Sequence, residues 1–179
     1  MTEQRKSGSG AIATKYGLIQ GVISFAIFLA MVLTGIRQNW LSTLVIASTL
    51  IVLMVLAHQE FKRTHEGMMS YGQALGSGTL LASIAAVVKS IFMYVYVGYI
   101  NTGFFAAAIR MQQAAMAKRG ITGAQAERAM SLMAPVMTPV GLLVISLITG
   151  VIGGFIVALI VSIFTQKSDG SSDGSRPPG

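Results

Sequence analysis

Four long apolar runs, Tyr16–Ile36, Leu41–Ala57, Tyr71–Ile100 and Val140–Phe164, constrain this chain more than any other feature. A helix crosses about 30 Å of hydrocarbon with roughly 17–25 apolar residues, and every run qualifies. Inside lipid the backbone has no water to bond, so only continuous helices or closed barrels cross. Barrel strands show short alternating segments, and no such alternation occurs here. Charge agrees: 11% of the 179 residues are charged and 53% are hydrophobic, against about 25% charged in soluble domains. The expected fold is all-α, a polytopic membrane bundle of four transmembrane helices. A short helical extramembrane segment is expected between the third and fourth. The bundle should span residues 14–166, with flexible tails at 1–13 and 167–179.

Several function classes fall away. The chain has no cysteine, so disulfides, thiolate zinc sites and iron–sulfur centres are excluded. Its net charge of +7 comes from basic residues scattered singly or in pairs at membrane edges, so no nucleic-acid partner is expected. Arg5, Lys6 and Lys15 precede the first run in the manner of a signal peptide. That run is about twice a usual signal core, and no small-x-small site follows it, so an uncleaved anchor is expected. His58, Glu60, His65 and Glu66 sit in the connection HQEFKRTHEGMM. They lack HxxxH or HExxH spacing and read as solvated loop residues rather than a metal site. No nucleophile–base set, carboxylate pair or phosphate-cradling loop is present, so neither catalysis nor a cofactor is expected.

The third run, with Ser70 before it, holds most of the information. Gly72 and Gly76 form a GxxxG pair, and Gly78, Ala82, Ala85, Ala86 and Lys89 continue along one side. Lipid gives no reason to hide apolar side chains, so a stripe of small residues predicts where another helix approaches closely. This helix is therefore expected at the centre of the bundle. Gly150, Gly153 and Gly154 give the last run a second close-packing point, whereas Gly17 and Gly21 in the first run fit close approach and the ordinary frequency of glycine in membrane helices equally well. Lys89 is the one ionisable residue well inside an apolar run. It lies about five residues, roughly 7–8 Å, inside the nearest of Tyr94, Tyr96 and Tyr99, so its stem can snorkel outward. A contact with Glu127 is one partner for it; a substrate or proton role is the alternative.

Between the third and fourth runs, FFAAAIRMQQAAMAKRG reads as a helix continuing past the membrane and ending at Gly120. Thr122-x-x-Gln125 suggests a capping box opening a second short helix. Ala126, Met130, Met133 and Met137 then form one apolar stripe opposite Gln125, Glu127 and Arg128. Pro135 and Pro139 let the last helix start afresh. Trp40 suits an interfacial anchor. Counting Lys and Arg gives a weak bias toward both termini in the cytoplasm.

Three strings, KYGLIQGVIS, SYGQALGSGTLLASIAAVVKSIFMYVYVGYIN and RGITGAQAERAMSLMAP, occur in that order and spacing. From Lys15 to Phe164 the chain resembles a family of small four-helix bacterial inner-membrane proteins catalogued only as a domain of unknown function. The resemblance implies four spans in a bacterial inner membrane and supplies no activity or ligand. From the residues, the expected role is a structural or accessory component of a membrane complex. Its partners would be the lipid bilayer and a homo-oligomer or membrane protein. The alternative is an oligomeric channel or transporter subunit for small anionic solutes, lined by Thr79, Ser83, Lys89 and Ser90.

Overall fold

The computed structural model describes residues 2–35, 40–64 and 68–166. Its described residues form six α-helices: α1 (Thr2–Thr34), α2 (Trp40–Thr64), α3 (Tyr71–Val95), α4 (Phe104–Lys118), α5 (Gly123–Met133) and α6 (Pro139–Thr165). A five-residue π-turn, Tyr96–Ile100, extends α3. Four segments are long and apolar enough to cross a membrane: Gly10–Thr34, Trp40–Thr64, Tyr71–Ile100 and Pro139–Thr165. Large apolar side chains such as Val22, Val52, Val87, Ile152 and Ile160 stand on the outside. That inverts the pattern of a water-soluble bundle and suits a hydrocarbon solvent.

α3 and α6 run antiparallel along a seam of small residues. Gly78 meets Ala158, Ala82 meets Gly154, Ala86 meets Gly150, and Ser90 Oγ lies 2.8 Å from Ser146 Oγ. The contacts advance four residues at a time on both helices, so one face of each stays in register throughout. A methyl group on Gly150 would stand 2.8 Å from Ala86 Cβ, and one on Gly154 would overlap Ala82 Cβ. Only a missing side chain lets the backbones come this near.

α1 runs parallel to α3 on its other side by the same device. A Cβ on Gly17 would lie 2.8 Å from the Leu81 carbonyl oxygen, and one on Gly21 would lie 2.6 Å from Val88 Cβ. Farther along, Phe25 stacks on Phe92 at 5.2 Å between ring centres, and Phe28 meets Tyr96 and Phe104 edge-on or tilted at 6.1 Å. α3 is thus the central helix, as its small residues imply.

α2 is held differently. It contains no glycine, and it buries only Met54, Ala57, His58 and Phe61, all toward its C-terminal end. Trp40, Leu41, Leu44 and Val45 at its other end are exposed. Its bulky side chains keep it from the close approach that α1 and α6 achieve.

Helix ends follow local chemistry. Ser70 caps α3 by accepting from Gln73 N–H at 3.3 Å, while Ser70 N–H donates back to Gln73 Oε1 at 3.0 Å. Thr138 caps α6 by accepting from Gly141 N–H at 3.0 Å, with Pro139 in the first turn. α4 closes in a Schellman arrangement: Ile121 N–H donates to Met116 O and Gly120 N–H to Ala117 O, with Gly120 at φ +73°.

Five expectations need correction. The expected flexible tail at 1–13 is helical from Thr2 onward, and Ala13 at its end is 1% exposed. Ile12 and Ala13 have apolar partners in Phe61, Ala57 and Leu81, so the helix gains by including them. α2 exceeds the 41–57 span and carries His58 and Glu60 on helix, not loop. The third span does not continue unbroken into α4, since Asn101–Gly103 form a turn after the π-turn. Thr122 precedes α5 but makes no side-chain cap, with Gly123 at φ +58° beside it. Gly72 and Gly76 pack against nothing: a Cβ on either meets open space. The small-residue face toward α6 begins at Gly78. The tail at 167–179, most of the first connection, and His65 and Glu66 lie outside the described residues.

Gly154→Val forces the α3/α6 seam apart and should lower unfolding stability in detergent by about 1–3 kcal/mol, the usual penalty of overpacking. Gly153→Val, one position away where nothing lies within 4 Å, should leave the unfolding transition in place. Equal losses for the two variants would mean the seam is not where α6 is held.

Candidate functional site

Polar side chains in a lipid-facing fold are either at its edge or bonded to one another. Two groups stand out. The first lies where the start of α1, the ends of α2 and α6 and the start of α3 meet. Lys15 Nζ donates to both Glu60 carboxylate oxygens, at 2.9 and 3.1 Å, and Tyr16 Oη donates to Oε2 at 2.7 Å. Lys15 Nζ also stands 5.0 Å from the Tyr16 ring centre. The pair is partly open to solvent, with side-chain exposures of 55% and 35%, so it orients α1 on α2 more than it binds them.

His58 is the deeper member of that end, 1% exposed. Its Nε2–H donates to the Ala74 carbonyl at 3.1 Å, and its Nδ1 lies 2.7 Å from Thr165 Oγ1. One imidazole therefore joins α2, α3 and α6. The sequence does carry a signal for this: Met54, Ala57, His58 and Phe61 fall at i, i+3, i+4 and i+7, a single buried helix face. With both ring nitrogens engaged, His58 has no free lone pair for a metal. Among the described residues no three His, Asp or Glu side chains converge.

The second group lies inside the bundle. Gln20, 2% exposed, donates from Nε2 to Ser24 Oγ at 3.1 Å and to Thr49 Oγ1 at 3.2 Å. Thr49 Oγ1–H in turn donates a hydrogen bond to the Ile46 carbonyl at 2.9 Å. These bonds are the polar link between α1 and the loosely held half of α2. Gln20 Oε1, Thr79 Oγ1 and Ser162 Oγ are buried without a protein partner.

Lys89 is half-buried on α3, one residue past Val88, which packs on Gly21. It stands within a turn of the Gln20–Ser24 level. Glu127 is exposed on α5, and the expected contact between the two is not made; Lys15–Glu60 is the one ion pair among the described residues. Of the residues expected to line a path with Lys89, Ser90 is committed to Ser146 in the α6 seam and Thr79 is turned inward. Of the packing residues, Gly78, Ala82, Gly150 and Gly154 lie in that seam. Chemically, these groups fasten helices to one another.

A family model described as a protein of unknown function (DUF4199) matches residues 15–167. No curated protein matches the chain, and no solved structure matches it.

His58→Ala strands the Ala74 carbonyl and the Thr165 hydroxyl in a buried setting and should cost about 1–3 kcal/mol of stability. Glu60→Gln, at the more open pair, should cost less. Denaturant unfolding in one detergent ranks the two; a larger loss for Glu60→Gln would overturn the assignment of His58 as the main fastening.

Proposed function

The chain belongs to the DUF4199 family, whose description assigns no activity, and we propose that it serves as a structural or accessory component of a membrane complex rather than as a catalyst. The closure of α3 carries this reading. Two seams fill both of its flanks, with no room at their glycines for even one added carbon, which suits fixed association better than passage of a solute. A second helix face remains for a partner. Gly72 and Gly76 of α3 leave open space around their backbones, which is what a close-packing neighbour needs. The occupant of that face is a second copy of the chain or another membrane protein.

In this reading the protein sits in a bacterial inner membrane with both termini in the cytoplasm. The orientation follows the count of Lys and Arg: Arg5, Lys6, Lys15, Lys62, Arg63, Lys167 and Arg176 on the terminal side, against Arg37, Arg110, Lys118, Arg119 and Arg128 opposite. A second reading, an oligomeric channel or transporter subunit for small anionic solutes, draws on Lys89. It is half-buried with no acidic partner among the described residues, near a level where Gln20 Oε1 is also unmatched. Cations at membrane depth favour anionic cargo.

Purification in mild detergent followed by native mass spectrometry should yield a defined complex or a stable homo-oligomer. Gly76→Ile should dissolve it while leaving the monomer's unfolding transition unchanged. Wild-type protein that is monomeric throughout overturns the proposal. Anion flux into liposomes that Lys89→Leu abolishes would favour the second reading instead.

A further inference from the structure

We infer that the α4–α5 segment is a docking surface for anionic phospholipid headgroups, in the leaflet where α3 ends. The segment leaves and rejoins the bundle at one place. α3 and its π-turn finish at Ile100, α6 begins at Pro139, and a Cβ on Gly98 would lie 3.8 Å from Pro139 Cβ. Both ends of the α4–α5 segment are therefore held at a single membrane face, at the headgroup level that Tyr99 also marks.

The segment is not packed as an ordinary cap on the bundle. α5 has no buried residue and α4 has only Met116. Its charge is one-sided: Arg110, Lys118, Arg119 and Arg128 are all exposed, and Glu127 is the lone carboxylate. None of the five takes part in the one ion pair found among the described residues. Apolar side chains stand among these cations, with Met111 49% and Leu132 81% exposed.

One place joins the two properties. An open groove of about 300 Å³ at the end of α4 is lined by Met111, Ala114, Ala115, Lys118 and Arg119. Its floor is apolar and its edge carries two cations. The Schellman bonds occupy the Met116 and Ala117 carbonyls, so those oxygens are not left to repel a phosphate. A phosphodiester on Lys118 and Arg119, with the upper part of an acyl chain along Met111 and the alanines, matches both surfaces. An acidic soluble protein would use the cations but would leave the apolar floor and Leu132 unexplained. Tethering at the headgroup plane also removes most of the entropy cost of finding the lipid.

The test uses full-length protein in nanodiscs of phosphatidylcholine, with or without phosphatidylglycerol. Lipids retained after extraction are counted by native mass spectrometry. Each Lys or Arg at an anionic surface favours association by roughly fivefold, so two engaged cations give a preference for phosphatidylglycerol of roughly twenty- to thirtyfold. Lys118→Glu with Arg119→Glu should abolish that preference, and Glu127→Lys should raise it; circular dichroism checks that the helices persist. The chain has no cysteine, so Leu132→Cys gives a single dye site. That dye should be shielded in phosphatidylglycerol discs and water-accessible in phosphatidylcholine discs or at high salt. Equal retention of the two lipids overturns the inference. So does a preference that survives the double reversal, or a dye that stays wet in both discs. Protection of the dye by inorganic phosphate in neutral detergent would mark a small-anion site and would overturn it as well.

Discussion

Everything in this bundle depends on how near two helix backbones can come when side chains are removed between them. In water, helices associate to hide apolar surface; in hydrocarbon that incentive vanishes, and contact itself must supply the attraction. Dispersion falls steeply with distance, so an extra methyl group at the line of closest approach forfeits many atom pairs. Gly17 and Gly21 on α1, Gly78 on α3, and Gly150 and Gly154 on α6 remove those methyls. α3 is central because it shares in both close seams, offering Gly78, Ala82 and Ala86 to α6 and receiving Gly17 and Gly21 of α1 on its other side.

The two ends of the bundle are fastened by different chemistry. At the end holding the start of α1, Lys15, Tyr16, Glu60, His58 and Thr165 make directional bonds. At the other, Phe25, Phe28, Phe92, Tyr96 and Phe104 make ring contacts. Edge polar groups are cheap because water and headgroups are near, whereas a histidine as enclosed as His58 has to find both partners inside the protein. α2 shares fully in the polar end and hardly in the aromatic one, which is why its burial is confined to Met54–Phe61.

The spans, their number and the centrality of α3 were legible in the sequence because lipid imposes length and polarity rules that a single chain displays directly. The partners of individual small residues were not. Gly72 and Gly76 spell the same motif as Gly150 and Gly154, yet only the latter pair meets another helix; spacing says that approach is possible, and the neighbour's position decides. Capping shows the same limit. Ser70-x-x-Gln73 and Thr122-x-x-Gln125 are equivalent strings, and only the first closes its box, since Gly123 enters α5 with a positive φ. His58 was obscured by its polar neighbours, and the burial of Ala13 by the Gly/Ser-rich stretch before it, which is helical here. The absence of a Lys89–Glu127 pair is a matter of where α5 sits, which no local pattern encodes.

The order of the chain adds a temporal side to the α3/α6 seam. During synthesis α1, α2 and α3 emerge in succession, so the glycines of α1 find Leu81, Ala85 and Val88 as soon as α3 is made. The groove that receives Gly150 and Gly154 waits until α4 and α5 have also been produced. Throughout that interval α3 presents Gly78, Ala82 and Ala86 to acyl chains that cannot fit them well. α6 is thus the wedge that closes this flank of α3, and a nascent chain arrested before Pro139 carries an open flank that any small-faced neighbouring helix can occupy.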